Sequence, residues 1–326
     1  SDALIARGDS VRLITSHRGR PGRRDEDGLE VVRQFRPPER ALNRLGFPPG
    51  TSHAPLAWLA LRRGQDDVVQ AWTAATAVAA ARSGKPSVFV FQGVLDPADL
   101  AGRPRVHSML LSAARRCDAV TAYSEVAAEA FATLMGVEAR AIEPGIRLDA
   151  FTPGGRRNPA PAIFCAADAG EPRKRVRLLV DAFARVRRER PDAELWLMDT
   201  NDPSTAGADG VRIVDPGANR DELVRLYRSA WVSVLPAFRE AFGLVVVESL
   251  ACGTPVIGMR DGGAVPGILG TPGVEPDEAS LATALLEAIE QPPDAGTAGA
   301  CRARAGHHSI ERCAERYEAL YREIGA

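Results

Sequence analysis

The sequence predicts an α/β fold built as two Rossmann-like, doubly wound domains in succession, and three observations carry that reading. The chain has 326 residues, which at roughly 150 residues per domain leaves room for about two domains, each with its own core. Short apolar runs of strand length alternate with stretches whose apolar residues recur at three- and four-residue spacing, the pattern of parallel βαβ units. The pattern breaks at residues 151–161, FTPGGRRNPAP, where Pro, Gly and Arg interrupt both periodicities before it restarts.

In the first half, strands are expected at residues 11–15, 29–35, 67–72, 87–92, 119–124 and 140–143. Helices lie between most of them, and those over 106–116 and 125–135 show the helical spacing most clearly. The opening SDALIARGDSVRLITS reads as a helix end, a turn and a strand. A doubly wound domain normally begins with its central strand, so a first strand and a glycine-rich first loop are expected upstream of Ser1. After the break come strands at 163–167, 194–199, 211–214, 232–235 and 255–259, with helices at 176–190, 221–230, 242–252 and 279–289. These divide into an N-terminal domain over 1–153, a C-terminal domain over 160–305 and a terminal helix over 306–326. The two domains are expected to face a central cleft. On the terminal helix Ile310, Cys313, Tyr317, Leu320, Tyr321 and Ile324 form one stripe, a packing face.

Charge narrows the partners. Lys+Arg number 41 and Asp+Glu 42, a net charge of -1, so no global field attracts nucleic acid. Aromatics at 6% offer no stacking platform for bases. The positive charge is almost all arginine, as a G+C-rich genome would produce, and only Lys85 and Lys174 are lysines. No apolar run reaches the roughly 18 to 20 residues that span a bilayer, and the chain reads as soluble and cytoplasmic, with peripheral membrane contact left open. The five cysteines are widely spaced without a C-x-x-C pair, so neither a disulfide framework nor a metal site is expected.

The most informative stretch is PAFREAFGLVVVESLACGTPVIGMRDGG, residues 236–263. It follows a strand, opens a helix and carries Glu240 and Glu248 eight apart. Leu244, Val245, Val246 and Val247 cover all sides of the helix start, so the helix is expected to be buried all round. Glu248 then needs a hydrogen-bonding partner in an apolar setting, either ligand hydroxyls or a structural arginine. Phe242-Gly243-Leu244 brings free backbone N–H groups to the helix N-terminus, where an anion is favoured, and Gly243 lets it approach.

These residues carry a family resemblance. EAFGLVVVE followed by SLACGTPV resembles the E-x7-E signature of the retaining GT-B glycosyltransferases, glycosyltransferase family 4. AVTAYSEV (119–126), IEPGIRLDAF (142–151) and PRKRVRLLVDAF (172–183) resemble family segments in their usual order. The resemblance implies a GT-B fold and transfer of a sugar from a nucleoside diphosphate, UDP or GDP, to a small-molecule, lipid or glycan acceptor, with no cofactor. It implies that Glu240 holds donor-sugar hydroxyls and that Glu248 binds the nucleotide ribose. Backbone from Phe242 to Leu244, with Ala241 beside it, contacts sugar and phosphate, and Lys174 neutralises the diphosphate. Lys174 and Glu240 are therefore the expected catalytic pair.

Departures accompany it. The family arginine of a G-R-L segment is replaced by Asp168-Ala169, which leaves Arg173 as the available substitute. The family's His-Gly reads Gln92-Gly93, the expected acceptor-side residues. Pro266-Gly267 replaces Pro-Glu, and Ala237 stands where Ser is common. A non-catalytic nucleotide-sugar-binding homologue and a GT-B epimerase or hydrolase stay open as alternatives. Three further features read as structural: Asp25-Glu26-Asp27 as a solvated loop, Asp96 as a helix N-cap, and His307 and His308 as solvated.

Overall fold

The computed structural model describes residues 1–17, 20–35, 38–198 and 207–325. The chain divides into two compact units, Ser1–Glu143 together with Glu311–Ala326, and Pro144–Ile310.

Among its described residues, the first unit holds two sheets. One contains β1 (Val11–His17), β2 (Gly22–Glu26) and β3 (Leu29–Phe35) in the order β1-β3-β2, with β1 parallel and β2 antiparallel to β3. The other runs parallel in chain order through β4 (Val69–Ala71), β5 (Ser87–Phe91), β6 (Ala119–Ala122) and β7 (Arg140–Ala141). Strand β2 corrects the reading of residues 25–27 as a solvated loop. All five of its side chains are exposed, so it carries no apolar alternation. The signal it does carry is Asp27-Gly28, whose φ values of 54° and 84° make the turn of a two-residue hairpin. Asp25 Oδ1 accepts from the Gly28 N–H across that turn.

Alternation along β4 to β6 builds two layers. Ala71, Phe89 and Val120 face a core with Phe131 and the helices Ala74–Ala81 and Pro104–Arg116. Val88 and Val90 face the other way, onto Tyr317 and Leu320 of the terminal helix, Ile310–Glu323. The apolar stripe read from the sequence thus packs on the first unit, and the Thr121 and Tyr317 hydroxyls meet at 3.2 Å beneath it. Lys85 ties the segment entering β5 to the turn ahead of β4 by donating to the Gly64 and Asp66 carbonyls at 3.1 and 2.7 Å.

The second unit contains β8 (Ala162–Cys165), β9 (Glu194–Met198), β10 (Val211–Val214), β11 (Val232–Leu235) and β12 (Val256–Gly258). All pair in parallel, in the order β10-β9-β8-β11-β12. Each sits within two residues of its expected position; residue 199, the expected end of β9, lies outside the described residues. The helices Val176–Glu189, Arg220–Ser229, Leu244–Ala251 and Glu278–Ala288 follow in turn. The sequence reading passed over Val265–Leu269, a five-residue helix too short to show a period, and Ala295–Ala305, which follows the last of these helices and whose Ala and Gly residues mute the helical pattern.

Segment 151–161 belongs to this second unit instead of standing between units. Phe151 is buried, and Arg228 donates to the Thr152 carbonyl at 2.6 Å. Arg157 donates to the carbonyls of Ala230 and Gly253 at 2.6 and 2.7 Å and to Thr254 Oγ1 at 2.6 Å. Polar, proline-rich sequence marks irregular backbone, and here arginines anchor that backbone to the C-termini of two helices.

Candidate active site

In an open parallel sheet, ligands bind outside the carboxyl ends of the strands where the winding reverses. In the second unit the chain leaves β8 toward β9 on one side and later returns to β11 on the other. The reversal therefore falls between β8 and β11, and the loops after these strands carry Arg173, Lys174 and Glu240.

The loop after β8 ends in a tight turn, Pro172–Lys174, and the next residue, Arg175, has a positive φ of 50°. The Phe238 N–H donates to the Arg173 carbonyl at 2.8 Å, which stitches the β8 and β11 loops together. Lys174 Nζ then reaches Glu240 Oε2 at 2.5 Å, the two side chains being 17% and 14% exposed. Arg173 contributes a more open cation 3.8 Å from the same carboxylate, while it also donates to Glu171 at 2.7 Å and to the Arg239 carbonyl at 3.2 Å. Glu240 is thus turned inward onto a lysine, a pairing that nothing in the local sequence announces.

A third loop locks the second. After β12, Arg239 donates its N–H to the Asp261 carbonyl at 2.9 Å, and the Glu240 carbonyl accepts from Ala264 N–H at 3.0 Å. Gly263 has φ of 67°, and a Cβ there would sit 2.3 Å from the Glu240 carbonyl oxygen. Arg175 spans to Asp261 by two hydrogen bonds of 3.0 and 2.8 Å and lies 4.8 Å over the Phe238 ring. These contacts hold the backbone that aims Glu240, and they offset the cost of a left-handed arginine.

Gly243, with φ of 96°, opens the helix Leu244–Ala251 without a side-chain cap. A Cβ on Gly243 would press on Val265, Leu235 and Val246 at 3.3 to 3.4 Å. The first helical N–H groups are left for a ligand or water. The expected all-round burial of this helix is corrected here: Leu244 is 42% exposed, so the N-terminal end stays open to solvent. Ala241 and Phe242 are buried, which leaves backbone as what they offer a ligand. The Phe242 ring meets His308 edge-on at 5.4 Å, so His308 is half-buried against the site's own turn instead of solvated, whereas His307 is exposed.

Glu248, one turn into the helix, is met within the protein by a tyrosine instead of the arginine foreseen from the sequence. The Tyr227 hydroxyl donates to Glu248 Oε2 at 3.0 Å. Burial pushes the Glu248 carboxyl above its ordinary value, against the opposing pull of Tyr227 and of the Arg220 charge. Tyr227 is itself fully buried, edge-on to Phe164 at 5.1 Å, and its phenol is held well above the usual range by burial and by Glu248. The need for a partner was readable from the sequence, but its identity was not, because Tyr227 lies on the preceding helix.

Gln92 and Gly93 belong to the first unit, at the carboxyl end of β5. Asp96 caps the short helix Pro97–Leu100, accepting from Ala98 N–H at 2.7 Å while Asp99 accepts from Asp96 N–H at 3.0 Å. No group of three or more metal-ligating side chains is assembled among the described residues, and none of the helices there is long and apolar enough to cross a membrane.

Comparison with known proteins adds the lineage. Residues 1–150 match the family model described as Glycosyltransferase Family 4, and residues 160–291 the one described as Glycosyl transferases group 1. A curated D-inositol 3-phosphate glycosyltransferase from Thermobifida fusca is 51% identical over 70 residues, 22% of this chain and 16% of that protein. The matched stretches of such relatives reach 46% of their length, so the chain spans less than half of the curated relatives it matches. Among solved structures, a sucrose-phosphate synthase from Thermosynechococcus elongatus superposes with a TM-score of 0.80 at 21% identity, over 99% of this chain and 90% of that one. An Anabaena protein solved with UDP and glucose gives 0.66 at 18% identity, over 90% and 85%. At such identities the likeness establishes the fold, α/β with parallel sheets as in GT-B glycosyltransferases.

Proposed function

Because its two halves belong to glycosyltransferase families, the first to family 4 and the second to group 1, we propose that the chain is a retaining glycosyltransferase. In this reading it moves a sugar from a nucleoside diphosphate, UDP or GDP, to an acceptor hydroxyl, and the second unit binds the donor while the first binds the acceptor. The observation that carries the reading is the Lys174–Glu240 pair, 2.5 Å apart on the loops that leave β8 and β11 where the strand order reverses.

Each residue then has a chemical task. Glu248, held by Tyr227, accepts hydrogen bonds from the ribose hydroxyls. Glu240 accepts from hydroxyls of the donor sugar. Lys174, with Arg173 beside it and the N–H groups after Gly243, faces the diphosphate. As the bond between the anomeric carbon and the phosphate oxygen breaks, the electron pair stays on the phosphate, and preorganised cations and N–H dipoles stabilise the growing charge. The acceptor oxygen bonds to the anomeric carbon from the same face, and its proton passes to the departing phosphate oxygen, which retains the configuration. Side chains and backbone supply the counter-charge in this scheme, so no metal or organic cofactor is assigned, and the reaction belongs in the cytoplasm where nucleotide sugars are made.

The test is a screen of uridine and guanosine diphosphates and their sugars by thermal shift, followed by product analysis with acceptor present. A ligand that binds the native state stabilises it by about 2.7 kcal/mol at a hundred times its dissociation constant. Transfer with an α-configured product from an α-configured donor supports the reading. Binding without turnover in every donor and acceptor pair would reassign the chain as a nucleotide-sugar-binding homologue, and turnover without acceptor would make it a hydrolase or epimerase.

A further inference from the structure

We propose that Arg175 and Asp261, with the Phe238 ring beside them, are positioning residues: they set the aim of Lys174 and Glu240 and act on transfer through that pair. The proposal deepens the glycosyl-transfer reading and rests on it.

The clue is where the backbone is strained. Among the described residues three that are not glycine have a positive φ; Asp27 makes the hairpin turn, and the other two, Arg175 at 50° and Arg239 at 49°, lie at the candidate site. Each is the chain neighbour of one member of the pair, since Lys174 precedes Arg175 and Glu240 follows Arg239. Glycine adopts this conformation freely, whereas any residue with a Cβ is strained by it. Two arginines so placed persist because their surroundings hold them, and strain held in this way gathers at functional sites.

Asp261 and Phe238 are what holds them. The Arg175 guanidinium donates to both carboxylate oxygens of Asp261 at 3.0 and 2.8 Å, and the Arg239 N–H donates to the Asp261 carbonyl at 2.9 Å. One residue of the loop after β12 thus receives both left-handed arginines. Phe238 meets them again: its ring centre lies 4.8 Å from the guanidinium carbon of Arg175 and 5.6 Å from that of Arg239, within the reach of cation–π attraction. The loops after β8, β11 and β12 are fastened at this cluster, and the first two carry Lys174 and Glu240.

The Arg175 and Asp261 side chains are 27% and 30% exposed, and an ion pair that open to water adds little net stability. A two-pronged contact between guanidinium and carboxylate adds direction instead, because its parallel N–H···O bonds demand one relative orientation. Direction matters where a misplacement of about 1 Å costs about a hundredfold in rate.

The composition supplies the probe. Lys85 and Lys174 are the two lysines of the chain, so protein made with isotope-labelled lysine gives one side-chain NMR signal for each. Lys85, held by the Gly64 and Asp66 carbonyls, is the internal reference. The variants are Arg175→Gly, Asp261→Asn and their combination. Glycine suits the left-handed backbone, so Arg175→Gly should keep the fold while removing the guanidinium, and Asp261→Asn keeps the carbonyl that receives Arg239. In each variant the Lys174 signal should move toward its position in Glu240→Ala while the Lys85 signal stays fixed. The kcat should fall about tenfold or more, with the combination no worse than the more impaired single variant. Arg175→Lys should restore little, because an ammonium lacks the fork. A Lys174 signal that stays in place in the folded Arg175→Gly and Asp261→Asn variants overturns the proposal, whether kcat falls or not. A Lys174 signal that moves, in a chain whose wild type transfers no sugar from any donor, leaves the positioning contact standing and removes the transferase reading.

Discussion

Replacing Lys174 with alanine should cost far more catalysis than stability, and the geometry allows both sides to be estimated. Lys174 Nζ and Glu240 Oε2 are 2.5 Å apart with both side chains mostly buried. At an effective dielectric of about 20 such a pair attracts by about 7 kcal/mol. Much of that is offset by desolvation, and after the substitution Arg173 still lies 3.8 Å from the same carboxylate. The net loss of stability should therefore be about 1–2 kcal/mol, a fall in Tm of about 2–8 °C for a unit of this size. The catalytic loss is that of a preorganised charge at the leaving group, about 2.7–4 kcal/mol or 10²–10³ in kcat. Lys174→Arg should restore little of this, because a planar guanidinium cannot take the place of a compact ammonium. A matched thermal melt and steady-state assay give both numbers on one preparation. A kcat within threefold of wild type in a folded Lys174→Ala variant would refute the assignment of Lys174 to the diphosphate.

Further outcomes follow from the same site. Combining Lys174→Ala with Glu240→Ala should be non-additive, with a coupling of about 0.5–3 kcal/mol in a double-mutant cycle on donor binding; simple additivity would separate the two roles. Burial raises the Glu248 carboxyl above its ordinary value, so folding favours proton uptake there, and the stability gained from that proton is lost as pH rises through the raised value. With Glu248 as the proposed ribose acceptor, binding uses its ionised form, so nucleotide affinity should fall with decreasing pH earlier than an ordinary carboxylate dictates. Tyr227→Phe removes the hydroxyl 3.0 Å from Glu248 and should move that fall to still higher pH, which calorimetry across pH would detect. Gly263→Ala forces a Cβ to 2.3 Å from the Glu240 carbonyl at a positive φ that alone costs about 1–2 kcal/mol, so donor-sugar binding should weaken together with Tm. Arg157→Ala leaves the carbonyls of Ala230 and Gly253 without their donor and should lower stability by about 2–4 kcal/mol while kcat at low temperature holds.

The strands of the second unit were legible because central parallel strands are apolar on both faces and the alternating pattern is repeated five times. Strand β2 was not, because all of its side chains face water and only Asp27-Gly28 marks it. Lys174 and Glu248 could be singled out one at a time: a lysine retained in an arginine-rich chain, and a carboxylate on an apolar helix. Their partners could not. Glu240 lies 66 residues from Lys174, and Tyr227 lies 21 residues from Glu248. Burial gave a wrong expectation at Leu244, since a hydrophobic residue at a helix start is covered only if a neighbouring element reaches it.

By itself, then, the sequence determined the class of fold, the order of most of its elements and the residue types at the candidate site, because periodicity and turn chemistry are local properties. Tertiary structure alone decided which groups touch. It joined Lys174 to Glu240 and Tyr227 to Glu248, drew segment 151–161 into the second unit and laid the terminal helix on the first. Those outcomes depend on strand order and on the packing of residues far apart in the chain, which no local pattern encodes.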